Sequence, residues 1–205
     1  DQYVVPYVSG IPLIVYDPSA VEIDIKSFND LWDPSLEDSL GLIDDARVTI
    51  GMVLLSMHQS MNTTDDAVLA EAAEKLDALR GNTFTPFVAL ALDANPDLKV
   101  VWPEEGLGFG IDGCFIPVNA PHAKNANLFL QYLLRPEVAA TCAEWQYYCS
   151  PNEAAKACLS ESYLNNPVFN GIYDRIDDTE YVRNLSSEDE QKYQDIWTTF
   201  KLSMQ

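Results

Sequence analysis

Val100-Val101-Trp102-Pro103-Glu104-Glu105-Gly106-Leu107-Gly108-Phe109-Gly110-Ile111-Asp112-Gly113-Cys114-Phe115-Ile116-Pro117-Val118 is the stretch on which the reading of the fold turns. Its two ends are short, apolar and partly β-branched, and each meets a proline. Residues 100–102 and 115–118 therefore read as buried strands. The segment between them, 104–113, is glycine-rich and reads as a turn. Downstream, helical periodicity fits 123–134 and 137–145, with a break at Arg135-Pro136. A tail helix starts near Ser186 and places Tyr193, Ile196, Trp197, Phe200 and Met204 on one face.

Upstream, residues 4–16 form two extended segments around Pro6 and Gly10-Ile11-Pro12. Residues 27–32 read as a short helix stopped before Pro34. Leu40-Gly41-Leu42-Ile43 is a short strand, and Asp44-Asp45 then opens a helix on Ala46, Ile50, Val53, Leu54 and Met57. Either aspartate suits the free N–H groups and the positive dipole end there. Asn62-Thr63-Thr64-Asp65 opens a second helix, with Leu69, Ala72, Ala73, Leu76 and Leu79 on one face. It stops at Gly81-Asn82. Short strands alternating with helices predict an α/β fold with largely parallel strands.

Composition excludes several functions. The chain has 205 residues, 47% of them hydrophobic, and a formal net charge of −20. That charge is wrong for a general nucleic-acid binder, which needs basic surface to displace counterions. It suits a cationic partner, or a surface tuned for solubility. No apolar run approaches the roughly 20 residues of a membrane span. No secretory leader is visible at Asp1, and the strand-like opening reads as a cut start. Cys114, Cys142, Cys149 and Cys158 do not follow zinc spacing, and neither His58 nor His122 lies near them in sequence. An oxidising compartment would allow one disulfide among Cys142, Cys149 and Cys158, or two if Cys114 joins; the alternative is four buried thiols. No phosphate loop, dinucleotide loop, nucleophile elbow or carboxylate pair of telling spacing is present, so no catalytic residue, metal ligand or cofactor is assigned.

Several segments together resemble the spermidine/putrescine-binding periplasmic proteins, within the extracellular solute-binding superfamily. They are Val5-Pro6-Tyr7, Phe28-Asn29-Asp30-Leu31-Trp32, Asp44-Asp45-Ala46-Arg47, Asn62-Thr63-Thr64-Asp65, Val100-Val101-Trp102-Pro103-Glu104-Glu105-Gly106, Ile111-Asp112 with Ile116-Pro117, Leu133-Leu134-Arg135-Pro136-Glu137-Val138-Ala139, and Tyr148 with Ser150-Pro151-Asn152-Glu153-Ala154-Ala155. The resemblance implies a type II Venus-flytrap protein: two α/β lobes, a ligand held in the cleft between them, and a closed form that docks on a membrane ABC permease. It implies a periplasmic or lipid-anchored extracellular monomer that is neither an enzyme nor a nucleic-acid binder.

By the same resemblance, Asp45 and Asp112 are carboxylates that bind amines of a polyamine, and Tyr148 is an aromatic flanking it. The chemistry suits an extended cation with methylene links: carboxylates take the ammonium groups and aromatic faces cover the chain. Each residue also has a plainer role: Asp45 as a helix cap, Asp112 as a partner for turn backbone, Tyr148 as core. Two family contacts are missing. An acidic residue is replaced by Val48 and a tryptophan by Gly110, and neither Trp102 nor Phe109 aligns with the lost aromatic. A different solute of the same superfamily (ferric iron, thiamine, phosphonate or sugar) is the alternative, with adjacent Tyr147 and Tyr148 as metal-ligand candidates. A non-binding surface or structural protein is a third.

The resemblance places residues 12–111 with 159–205 in the second lobe. Residues 1–11 with 112–158 are the hinge and the remnant of a first lobe that lacks about a hundred residues. A further missing segment is expected near 82–83, with the Cα atoms of Asn82 and Thr83 well beyond the roughly 3.8 Å of a trans peptide.

Overall fold

The computed structural model describes residues 3–80, 83–84, 89–169, 175 and 179–204. In chain order its elements are β1 (Val5–Gly10), β2 (Ile14–Tyr16), 3-10 turns at Phe28–Trp32 and Pro34–Leu36, β3 (Gly41–Leu42), α1 (Ala46–Ser56), α2 (Asp66–Asp77), β4 (Thr83–Phe84), α3 (Ala89–Ala94), β5 (Lys99–Val101) and β6 (Leu107–Cys114). Then follow α4 (Ala123–Leu133), α5 (Pro136–Gln146), a 3-10 helix at Glu153–Cys158, α6 (Glu161–Leu164), β7 (Thr179–Tyr181) and α7 (Ser187–Ser203). Contacts divide the chain into two compact units. The smaller takes Asp1–Ile11 and Phe109–Ile176; the larger takes Pro12–Gly108 and Asp177–Gln205.

The larger unit is built around α1. This helix is apolar on nearly every side, and Ile50, Val53 and Leu54 are fully buried in it. α2 presents Leu69, Ala72 and Leu76, while α7 presents Tyr193, Trp197 and Phe200 to the same core. Burying each large side chain is worth about 1.5–3 kcal/mol, which explains why both amphipathic helices settle there. β2 pairs antiparallel with β5, and β3 pairs parallel with β4.

Two of the family-like motifs turn out to hold one another. The Glu105 carboxylate accepts the N–H groups of Phe28 and Asn29, each at 3.0 Å. Ser27 and Asp30 form a capping box on the same 3-10 turn. The Trp32 Nε1–H donates to the Lys75 carbonyl at 2.8 Å, and the Lys75 ammonium lies 4.5 Å from the Trp32 ring centre.

In the smaller unit β1 pairs antiparallel with β6, with Val5 opposite Cys114, Val8 opposite Asp112 and Gly10 opposite Gly110. On its second edge β1 exchanges backbone hydrogen bonds between Ser9 and Cys149, both at 2.8 Å. Ala139, Ala140 and Ala143 of α5 are buried, as is Ala155 of the following 3-10 helix, and small side chains let the two approach closely. Asn152 joins the segments: its amide donates to the last-turn carbonyl Leu134 at 2.8 Å, and its oxygen caps Ala154 at 3.1 Å.

Four expectations are corrected. The strand predicted at 115–118 is not one; the strand is β6, inside the stretch read as a turn. Phe115 is exposed and Val118 fully so. Glycine here serves close approach: a Cβ on Gly108 would lie 2.6 Å from Met61 Sδ, and one on Gly113 would lie 2.3 Å from Val4 Cγ1. The sheet is not largely parallel among the described pairs, since two of the three registers are antiparallel. Alternation along the chain orders elements in sequence, whereas β1 finds its partner near the other end of the larger unit's sequence. Residues 159–169 fall in the smaller unit rather than with the tail helix. The Tyr163 hydroxyl donates to the Tyr148 carbonyl at 2.6 Å, and Tyr163 stacks on Phe169 with ring centres 4.3 Å apart. Finally, α2 ends at Asp77, before the expected stop. Gly81 and Asn82, and with them the expected break near 82–83, lie outside the described residues.

Candidate ligand-binding residues

Asp45 caps α1. Its backbone is extended and its carboxylate accepts the Val48 N–H at 2.8 Å. The side chain is exposed, so one carboxylate edge is held by the helix and the rest faces solvent. The local sequence explains this: an aspartate before an apolar helix satisfies an N–H that has no helical partner. Asp45 belongs to the larger unit, while the other two expected site residues belong to the smaller one.

Asp112 stands on β6 opposite Val8 and is exposed. It lies inside a strand rather than between a glycine-rich turn and a strand as the sequence suggested, so its backbone is held by a hydrogen-bonded ladder. Gly110, two residues earlier, shares its face of the strand by the two-residue alternation of side chains. A Cβ built on Gly110 meets nothing within 4 Å. That open space is where the family pattern carries a tryptophan.

Tyr148 follows Tyr147, which ends α5 in a left-handed backbone conformation with φ 56°. This reversal sends the chain past β1. The Tyr148 ring lies beside Gly10, 3.2 Å from the position a Cβ would take there. Gly10 pairs with Gly110, so the tyrosine ring, the glycine pair and Asp112 follow one another across the β1–β6 ladder. Asp112 thus stands on the sheet, and the Tyr148 ring adjoins the same sheet at Gly10. Tyr148 is half-buried, neither core nor free surface.

Among the described residues no group of three His, Cys, Asp or Glu side chains is gathered as a metal site. All four cysteines are free thiols, and only Cys149 is buried, which corrects the reading of four buried thiols. Burial pushes the Cys149 thiol up to about 12.

The larger unit also holds an apolar cavity of about 560 Å³. Ile14, Ile25, Phe28, Leu42 and Met52 line it, and Val48, the residue standing where the family has a second acid, is on its wall. Asp45 is not.

One set of polar residues escaped the sequence reading. The Glu180 carboxylate accepts the Ser60 hydroxyl at 2.5 Å, the Met61 N–H at 2.8 Å and the Asn62 amide at 2.9 Å. The Arg47 guanidinium donates to Asn62 and to Glu190, each at 3.0 Å, and lies 4.8 Å from the Tyr193 ring centre. All of these links but Arg47–Asn62, which spans 15 residues, span more than a hundred, and they leave no local pattern. They fix the Asn62-Thr63-Thr64-Asp65 motif in place, which makes that motif scaffold.

Comparison with known proteins agrees with this architecture. Residues 85–170 match the model of the bacterial extracellular solute-binding protein family. The chain is 34% identical over 189 residues to the spermidine/putrescine-binding periplasmic protein of Salmonella typhimurium, which covers 81% of this chain and 54% of that protein. It superposes on an ABC-transporter chain from Listeria monocytogenes with TM-score 0.88 and 27% identity, over 98% of this chain and 69% of the other. The spermidine/putrescine substrate-binding protein PotD of Streptococcus pneumoniae gives TM-score 0.80 and 26% identity, over 100% and 70%. The chain therefore spans about half the length of the Salmonella relative. In sequence the chain is similar to the spermidine/putrescine-binding periplasmic proteins, and its fold is that of the type II periplasmic binding proteins.

Proposed function

We propose that this chain is the solute-binding part of an ABC importer, working in the periplasm or anchored outside the membrane, and that its solute is a polyamine. Asp45, Asp112 and Tyr148 are its proposed contacts, and a membrane permease is its proposed partner. The protein acts by holding a solute, not by catalysis, and as a monomer. The observation that carries the reading is the exposed Asp112 carboxylate on β6, two residues along from the Gly10–Gly110 pair that the Tyr148 ring adjoins. A strand presents the charge and an aromatic ring lies near the neighbouring glycine pair, and an ammonium group with a methylene tail calls for both kinds of group. The acidic chain favours cations in the same direction.

Calorimetric titration with putrescine and spermidine tests this. Binding should be present, and Asp112→Ala should weaken it roughly 10- to 100-fold by removing a charged hydrogen bond. Polyamine binding that ignores this substitution would refute the site. A second reading, another small solute in the same class of protein, is favoured by Val48 and by the empty space at Gly110. Binding of such a solute, with none of either polyamine, would select it.

A further inference from the structure

We propose that Cys114 and Cys142 are a disulfide-forming pair that cross-links β6 to α5. The cluster that carries this lies around Tyr7. Cys114 ends β6 directly opposite Val5, beside the bulge in β1 that contains Tyr7. Cys114 and Tyr7 line one small recess together with Ala139 of α5. Cys142 sits one helical turn beyond Ala139 on that helix. Cys142 therefore lies on α5 between Ala139, which lines that recess, and Gln146, whose side chain reaches Tyr7. Gln146, a turn further on, donates to the Tyr7 hydroxyl at 2.6 Å. Cys114 and the face of α5 that carries Cys142 therefore both meet Tyr7.

The other two cysteines differ. Cys149 is buried and hydrogen-bonded through its backbone to Ser9. Cys158 is exposed at the end of a 3-10 helix. Cys114 and Cys142 are both half-exposed, so an oxidant can reach them.

The oxidant is a small-molecule or protein disulfide. One thiolate attacks its S–S bond and releases one thiol; the second thiolate then displaces the other. Two S–H protons leave, one protein S–S bond forms, and the oxidant is reduced to two thiols.

The test is incubation of the purified chain with oxidised glutathione, alkylation of remaining thiols, proteolysis and mass spectrometry. The expected result is a linked peptide pair containing Cys114 and Cys142, with Cys149 and Cys158 alkylated or carrying glutathione. Cys142→Ser should abolish the link, and Cys158→Ser should leave it. Four unlinked cysteines, a glutathione adduct persisting on Cys114 or Cys142 in place of the link, or any cross-link through Cys149 or Cys158 would overturn the assignment.

Discussion

Glu180→Gln is the sharpest probe of what holds the larger unit together. The carboxylate accepts three hydrogen bonds, two at Oε1 from Ser60 and Asn62 and one at Oε2 from the Met61 N–H. A glutamine keeps a single oxygen. If that oxygen stays with Ser60 and Asn62, the new amide faces the Met61 N–H, donor against donor. Met61 is only 1% exposed, so water cannot take over. A hydrogen bond to a charged group is worth about 1.5–3 kcal/mol, and stranding a buried donor costs about 1–3 kcal/mol. These terms overlap, and a loss of about 2 kcal/mol at neutral pH is expected.

The effect should depend on pH. Burial raises the Glu180 carboxyl, but the hydrogen bonds from Ser60, Asn62 and Met61 outweigh it and hold it below the ordinary value of 4.5. A carboxyl lowered in the folded state stabilises above its unfolded value, and that contribution disappears as pH falls through its folded value. Glutamine does not titrate. The gap between parent and variant should therefore be constant above pH 4.5 and shrink below it. Urea unfolding followed by tryptophan fluorescence measures this, with the buried Trp197 reporting on the same core. A gap under about 0.5 kcal/mol at pH 7, or one that persists unchanged into acid, would refute the reasoning.

Two further outcomes are expected. Leu54→Ala should cost about 3 kcal/mol, because Leu54 is 0% exposed at the centre of α1 and the cavity left cannot collapse; chemical denaturation reads this directly. Gly110→Trp should tighten putrescine binding roughly 2- to 30-fold, the range of one cation–π contact of about 0.5–2 kcal/mol, since a side chain there meets open space beside the Asp112 face. Unchanged calorimetric affinity would remove Gly110 from the site.

What could be read from the sequence by itself was whatever depends on a few neighbouring residues. Asp45, Asp65 and Ser186 cap α1, α2 and α7 as their positions before apolar periodic runs require, because a cap reaches an N–H only two or three residues ahead. The apolar faces of α2 and α7 were legible for the same reason, and resemblance over ordered motifs supplied the fold. Tertiary structure alone decided the rest. Glycines 108, 110 and 113 looked like a turn, yet they lie in the strand that carries Asp112, two of them packed too closely for a Cβ to fit. Glu105 belonged to a motif with no partner assigned, and the fold sets it on the amides of Phe28 and Asn29. Strand direction, the Tyr148 ring beside Gly10 and the meeting of Cys114 and α5 at Tyr7 likewise join residues far apart in sequence. No periodicity records such pairs, because they are chosen by which surfaces meet once the chain has collapsed.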